Sequence, residues 1–129
     1  MDDERERTFS IVYDAGLQIH RELGPGLLES VYETILATRL QRLGLNVIRQ
    51  RPVDLVVDGI SFIDAYRVDL FVDDWLVVEL KAVEKISGLH IRQTLTYVKL
   101  LDQPVGLLIN FGEQWYKDGA HRVINNKVR

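Results

Sequence analysis

Apolar and polar residues follow two different periods along this chain, and each period marks a different kind of element. Val12, Ala15, Ile19 and Leu23 recur at helical spacing and predict a first helix, capped by Thr8 or Ser10 and ended by Gly24-Pro25-Gly26. Residues 1–7, Met-Asp-Asp-Glu-Arg-Glu-Arg, read as a charged flexible lead-in. A second helix is expected over residues 27–43, with Leu28, Val31, Ile35, Leu36, Leu40 and Leu43 as its apolar stripe and Gly44 as its stop. From Asn46 the period shortens to that of strands. Residues 46–50 and 53–57 read as two strands separated by Pro52, and Asp58-Gly59 as a hairpin turn. Residues 60–72 follow as one long strand, bent or bulged. Asp73-Asp74 turns the chain into a strand over residues 75–81. Ser87 caps a third helix over residues 88–101, which Gln103-Pro104 breaks. Residues 105–111 then form an apolar strand expected to return parallel to residues 75–81, because a helix intervenes. Residues 115–117 and 121–124, around Asp118-Gly119, predict a small terminal hairpin. This order predicts an α/β (α+β) fold with a mixed central β-sheet flanked by helices, as a single domain over residues 1–129.

Composition narrows the function classes. The chain has 129 residues, 47% of them hydrophobic, which is enough for one core. No apolar stretch is long enough to span a bilayer, so no membrane association is expected, and residues at the start lack a signal-peptide pattern. There is no cysteine, so there is neither a disulfide framework nor a thiolate metal site, and a cytoplasmic location is expected. The net charge is −3 and the pI about 5.6, which argues against a protein that coats nucleic acid. It argues less against an enzyme that holds one phosphodiester through a metal.

The charges that stand out lie inside apolar strands. Arg67-Val68-Asp69-Leu70-Phe71-Val72 and Val77-Val78-Glu79-Leu80-Lys81 each place ionisable groups where a buried strand should carry none. Glu79 and Lys81 project to one face because alternate strand residues do. With a two-residue loop at Asp73-Asp74, Asp69 would face Val78 and Glu79 would point away from it. One more residue in the connection sets Asp69 across from Glu79 and Arg67 across from Lys81, and collects Leu70, Val72, Val78 and Leu80 on one apolar face. Only the second register builds a site that could hold a divalent cation and activate water. Glu29 and Glu33 lie four apart on the second helix beside its apolar stripe. At least one is expected to look toward the sheet, and Glu33 is read as the solvated one. On the third helix Gln93 and Tyr97 are four apart, with His90 on nearly the same face.

These residues resemble a known pattern. Gly26-Leu27-Leu28-Glu29-Ser30-Val31-Tyr32 is similar to the signature of the GxxExxY protein family, part of the PD-(D/E)XK nuclease superfamily. The resemblance runs from about Ile11 to Asn125. It includes Gln50-Arg51-Pro52-Val53, the Asp69 strand, Val78-Glu79-Leu80-Lys81-Ala82-Val83, the Gln93…Tyr97 pair, Leu107-Leu108-Ile109-Asn110-Phe111 and Lys117-Asp118-Gly119. The superfamily's proline before the acidic residue is absent here. The resemblance implies a restriction-endonuclease-like core and a Mg²⁺- or Mn²⁺-dependent nuclease acting on nucleic acid, DNA before RNA. It implies Asp69, Glu79 and the Leu80 backbone carbonyl as metal ligands, Lys81 as the group that orients or deprotonates water, and Glu29 as a helix-borne acid. Gln93, Tyr97 and Tyr32 would support the site.

Each of these residues also has a plainer role. Asp69, Glu79 and Lys81 could form a structural salt-bridge network. Tyr32 reads as an aromatic at the edge of the core whose hydroxyl finds a partner. His20, His90 and His121 lack metal-site spacing. Arg39, Arg42, Arg49 and Arg51 read as a phosphate-binding strip or as ordinary surface arginines, and Trp75 and Trp115 as packing or dimer contacts. Apolar residues Trp115, Tyr116, Val123 and Ile124 suggest a homodimer. Two classes of function remain: a metal-dependent phosphodiesterase, and a non-catalytic homodimeric interaction module that keeps the nuclease fold and a structural or metal-binding carboxylate cluster.

Overall fold

The structure, a computed structural model, describes residues 1–127. Two helices, α1 (Asp3–Leu23) and α2 (Glu29–Arg42), precede three strands, β1 (Val47–Val57), β2 (Ile60–Val72) and β3 (Leu76–Lys81). Helix α3 (Gly88–Leu100), strand β4 (Val105–Asn110), a single helical turn α4 (Tyr116–Gly119) and strand β5 (Ala120–Ile124) complete the order. The strands form one five-stranded sheet in the order β1-β2-β3-β4-β5. Among the described residues only β3 and β4 run parallel, joined through α3 as expected. The fold class is therefore the mixed α/β sheet with flanking helices that the pattern predicts.

Each face of the sheet has its own cover. Leu70, Val72, Val78 and Leu80 pack with α1 and α2, against Val12, Ile19, Tyr32, Leu36 and Leu40. Val53, Val68, Phe71 and Val77 pack under Val98 of α3. α3 lies close because β4 presents Gly106 beneath it: a Cβ there would come within 2.7 Å of Val98 Cγ2.

Several boundaries differ from the sequence pattern. Residues 3–7, expected as a flexible lead-in, are the first turns of α1: Asp2 caps the helix by accepting the Arg5 N–H. Arg5 lies over the Trp75 ring, and Glu6 pairs with Arg122, so tertiary contacts hold this segment helical. The buried face of α2 is Tyr32, Glu33, Leu36, Ala37 and Leu40, and Leu28 is 73% exposed. The expected stripe is rotated because the sheet meets α2 on the Tyr32 side, leaving Leu28, Val31 and Leu43 outside. Residues 46–50 and 53–57 are one strand that passes through Pro52, which the sheet edge tolerates because no further strand needs the missing N–H. No terminal hairpin forms. Residues 116–119 make the turn α4, anchored by the buried Tyr116, and β5 pairs with β4 instead.

β1 and β2 are much longer than β3, which meets β2 only at Leu70, Phe71 and Val72. The remainder of the hairpin extends past the sheet as a two-stranded arm, with an irregularity between Val53 and Leu55. Asp64, at φ +56, takes up the extra backbone there, and its N–H donates to Asp54 Oδ1.

Candidate active site

The chemistry collects where β2 and β3 part. Their ladder pairs Leu70 with Val78, Phe71 with Val77 and Val72 with Leu76. Continued by one residue, that register sets Asp69 against Glu79. The connection is the longer one: Asp73 and Asp74 both adopt left-handed backbone, at φ +51 and +61, and Trp75 N–H donates to Val72 carbonyl at 3.2 Å. Asp73 is tied to Asn46 twice, accepting from its N–H through Oδ1 and donating its own N–H to its carbonyl.

At Asp69 the side chains take over from the backbone ladder. The Asp69 N–H donates to Glu79 Oε1 at 2.9 Å, and the Leu80 N–H donates to Asp69 Oδ2 at 2.8 Å. Gln50, at φ +52, donates through Nε2 to Asp69 Oδ1 at 3.2 Å and to Glu33 Oε1. Glu33 is buried and also accepts two hydrogen bonds from the Arg49 guanidinium, at 3.0 and 3.1 Å. The reading of Glu33 as a solvated residue is therefore corrected: α2 is rotated so that Glu33 faces β1 and links Arg49 and Gln50 to the site.

The carboxylates are held in a setting that resists their ionisation. Burial, with the Asp69 charge beside it, pushes the Glu79 carboxyl up to about 9. Asp69 is raised chiefly by burial, against the opposing hydrogen bonds from Leu80 N–H and Gln50. Glu29 is an exposed residue at the start of α2, but its carboxyl is raised by partial burial and then by the Asp69 charge. The Lys81 ammonium lies close enough to favour the charged form of all three. It makes no ion pair among the described residues, whereas Arg39, Arg49, Arg67 and Arg122 all do.

On the α3 side Tyr97 approaches the same carboxylates. Burial, and then the charges of Glu79 and Asp69, raise its phenol, and its ring lies 5.7 Å from that of Tyr66 on β2. Gln93 is exposed one turn earlier on α3. Tyr32 lies in the core. It stacks on Phe111 at 4.4 Å with rings 4° from parallel, and its hydroxyl donates to the Gly24 carbonyl and accepts from the Leu27 N–H. That hydroxyl holds the loop that leads into Glu29.

Asn110, at the end of β4 beside Lys81, lies within the resemblance but takes no role from it. It is fully buried, donates through Nδ2 to the Val83 carbonyl and to Glu113 Oε2, and accepts the Val83 and Gly112 N–H groups through Oδ1. An amide closing an otherwise apolar strand is the signal that could have flagged it. Two other expectations change. Arg49 is committed to Glu33, and Arg39 to Glu22, so the four arginines are not a free phosphate strip. Tyr116 and Val123 are buried, which removes half of the suggested C-terminal dimer patch.

The donor set suits a hard cation: two adjacent carboxylates that burial and mutual repulsion keep from ionising together. Among the described residues no group of three or more His, Cys, Asp or Glu side chains is gathered closely enough to hold an ion. An ion here would find Asp69 and Glu79 as its nearest carboxylates, with backbone oxygen and water able to complete its shell. No helix among the described residues is long and apolar enough to cross a membrane.

A mixed sheet whose parting strands carry Asp69 opposite Glu79, with Lys81 two residues on, defines the class of fold and site. A profile of the PD-(D/E)XK nuclease superfamily matches residues 6–123, and the chain belongs to that superfamily. No curated protein and no solved structure matches it.

Proposed function

We propose that this chain is a divalent-metal-dependent phosphodiesterase that hydrolyses nucleic acid, with DNA the preferred substrate, and that within the superfamily it is of the GxxExxY kind. The observation that carries the reading is the pair of half-buried Asp69 and buried Glu79 at the strand fork, with the Lys81 ammonium, unpaired among the described residues, beside them. A structural salt bridge would pair that lysine, and burying two carboxylates without a cation is costly.

In this reading Asp69, Glu79 and the Leu80 carbonyl would hold Mg²⁺ or Mn²⁺, which when bound would neutralise charge at the phosphate and acidify water at the site. Lys81 orients the attacking water and offsets negative charge developing on the phosphate oxygens. Gln50 on Oδ1 and the Leu80 N–H on Oδ2 fix the orientation of the Asp69 carboxylate. Glu29 reaches the same space from α2, directly or through water. Tyr97 and Gln93 contact the phosphate or a water from α3. Tyr32 acts at a distance, by fixing the loop that carries Glu29. The acidic surface fits an enzyme that grips little more than the scissile phosphodiester. The test is cleavage of single- and double-stranded DNA and RNA at equal Mg²⁺, wild type against Lys81→Ala, with circular dichroism showing both folded. Cleavage by wild type alone supports the reading, and equal rates or no cleavage by either oppose it.

One observation favours a second reading, an interaction module that dimerises. Val56, Val57, Ile60, Phe62 and Ile63 are exposed on the arm, Ile63 at 75%. A two-stranded ribbon has marginal stability in water, and an apolar one is normally covered. A second copy of the chain that seats its own arm here would cover these residues.

A further inference from the structure

At the end of the sheet where β3 and β4 finish, a cleft of about 560 Å³ opens between the C-terminal part of α1 and the α4 turn. Tyr13, His20, Arg21, Trp115, Tyr116 and Lys117 line it. Its floor is rigid. The Tyr116 hydroxyl donates to the Tyr13 carbonyl at 2.8 Å, and the two rings meet edge to face at 5.1 Å. His20 is buried, with Nε2 against the Glu113 carbonyl at 2.7 Å, so Nε2 carries the proton. Its rim is open and cationic. Trp115 is 61% exposed, which excludes the packing role expected for it. Arg21 and Lys117 are both exposed and form no ion pair among the described residues.

We infer that this cleft is a nucleotide subsite, in which a base stacks on Trp115 and its phosphate is held by Arg21 and Lys117. An exposed indole beside two free cations, on a chain of net charge −3, selects a ligand that is both flat and anionic. A nucleoside monophosphate has that chemistry, and the cleft lies within the usual size of a small-ligand site. The cleft is also joined to the carboxylate fork. Lys81 pairs with Asn110 in the parallel ladder, Asn110 grips Val83, and Asn110 Nδ2 also donates to Glu113, whose carbonyl holds His20. One hydrogen-bonded loop thus connects the two. As a subsite for a nucleotide of the substrate strand, the cleft rests on the phosphodiesterase reading. As a binding site it stands independently.

The experiment is a titration with nucleoside monophosphates in the absence of metal, with inorganic phosphate as the control ligand. Trp fluorescence reports on the wild type, since Trp75 is buried, and ligand-observed NMR reports on every variant. Saturable quenching is expected in the millimolar range or below. Trp115→Ala and the pair Arg21→Ala/Lys117→Ala should each weaken binding about tenfold, the order of one stacking or charge-assisted contact, and Trp115→Phe should keep part of it. No saturable binding, or binding by Trp115→Ala equal to wild type, overturns the inference. So does equal affinity for inorganic phosphate, which would leave only an anion site. A dimer in light scattering that Trp115→Ala dissociates assigns the cleft to a second copy and also overturns it. Nucleotide binding by a chain that cleaves nothing keeps the subsite and removes the phosphodiesterase. Cleavage without nucleotide binding does the reverse.

Discussion

Asn110 holds Val83 from both sides: its Oδ1 accepts the Val83 N–H at 3.0 Å, and its Nδ2 donates to the Val83 carbonyl at 2.9 Å. Val83 is the second residue after β3 ends at Lys81, so the direction in which the chain leaves the fork is set from β4. The arrangement leaves no room for slack, since a Cβ on Gly112 would strike the Val83 carbonyl.

Asn110→Ala strands partly buried donors and an acceptor of Val83 and Gly112, each costing up to about 1–3 kcal/mol when left unsatisfied. A loss of roughly 2–4 kcal/mol in denaturant unfolding is expected, with a larger fall in cleavage than Val83→Ala produces. Stability within about 0.5 kcal/mol of wild type would show that the clamp does not hold the strand end.

Glu79 makes the metal-free protein sensitive to alkali. Its folded-state pKa lies near 9, above the ordinary 4.5, so the folded state retains a proton that the unfolded chain gives up. The stabilising difference is intact at acid pH and is lost as pH rises between those two values, at no more than about 1.4 kcal/mol per pH unit. Thermal melting in a chelator should therefore fall from weakly acid to alkaline pH, and Glu79→Gln should flatten the decline. Mg²⁺ or Mn²⁺ should raise the wild-type melting temperature and leave Glu79→Gln unmoved. A wild-type melting curve insensitive to both pH and metal would contradict the carboxylate pair as a cation site.

Glu33 and Arg49 differ in what their loss exposes. Arg49→Ala leaves the buried Glu33 carboxylate with Gln50 as its remaining partner, and is expected to cost about 1–3 kcal/mol. Glu33→Gln keeps the shape and removes the charge, so it should cost less. It should also lower the metal concentration needed for half-maximal stabilisation if repulsion between Glu33 and Asp69 matters there. Equal unfolding midpoints for both variants would show that the ion pair is idle.

Tyr32→Phe retains the stack on Phe111 but frees the Gly24 carbonyl and the Leu27 N–H. A stability loss of about 1–2 kcal/mol is expected, together with a lower kcat. KM should be nearly unchanged, because the loop positions Glu29 and Tyr32 touches no substrate. A change confined to KM would place Tyr32 in substrate contact instead.

The arm yields a fifth test. Ile63→Lys and Val56→Lys lie far from the fork and should shift any dimer seen by light scattering at micromolar concentration to a monomer, with the fold unchanged by circular dichroism. A wild type that is already monomeric removes the dimer reading.

The periods of this chain determined most of its elements, because apolar burial on one face is written locally. The helix over residues 88–100, its Ser87 cap, the parallel return of β4 and the long bulged β2 were all legible in that way. So was the pairing of Asp69 with Glu79, though only as one of two registers. Parity names the faces but not the loop length. Choosing between the registers took the left-handed backbone at Asp73 and Asp74 and the two hydrogen bonds that bind Asp73 to Asn46, a residue 27 positions away. The same limit explains the errors. α2 turns its Glu33 side inward because Gln50 and Arg49 wait there on β1, and residues 3–7 are helical because Trp75 and Arg122 receive them. Those partners are distant in sequence, and no local pattern of hydrophobicity encodes which face a helix will present to them.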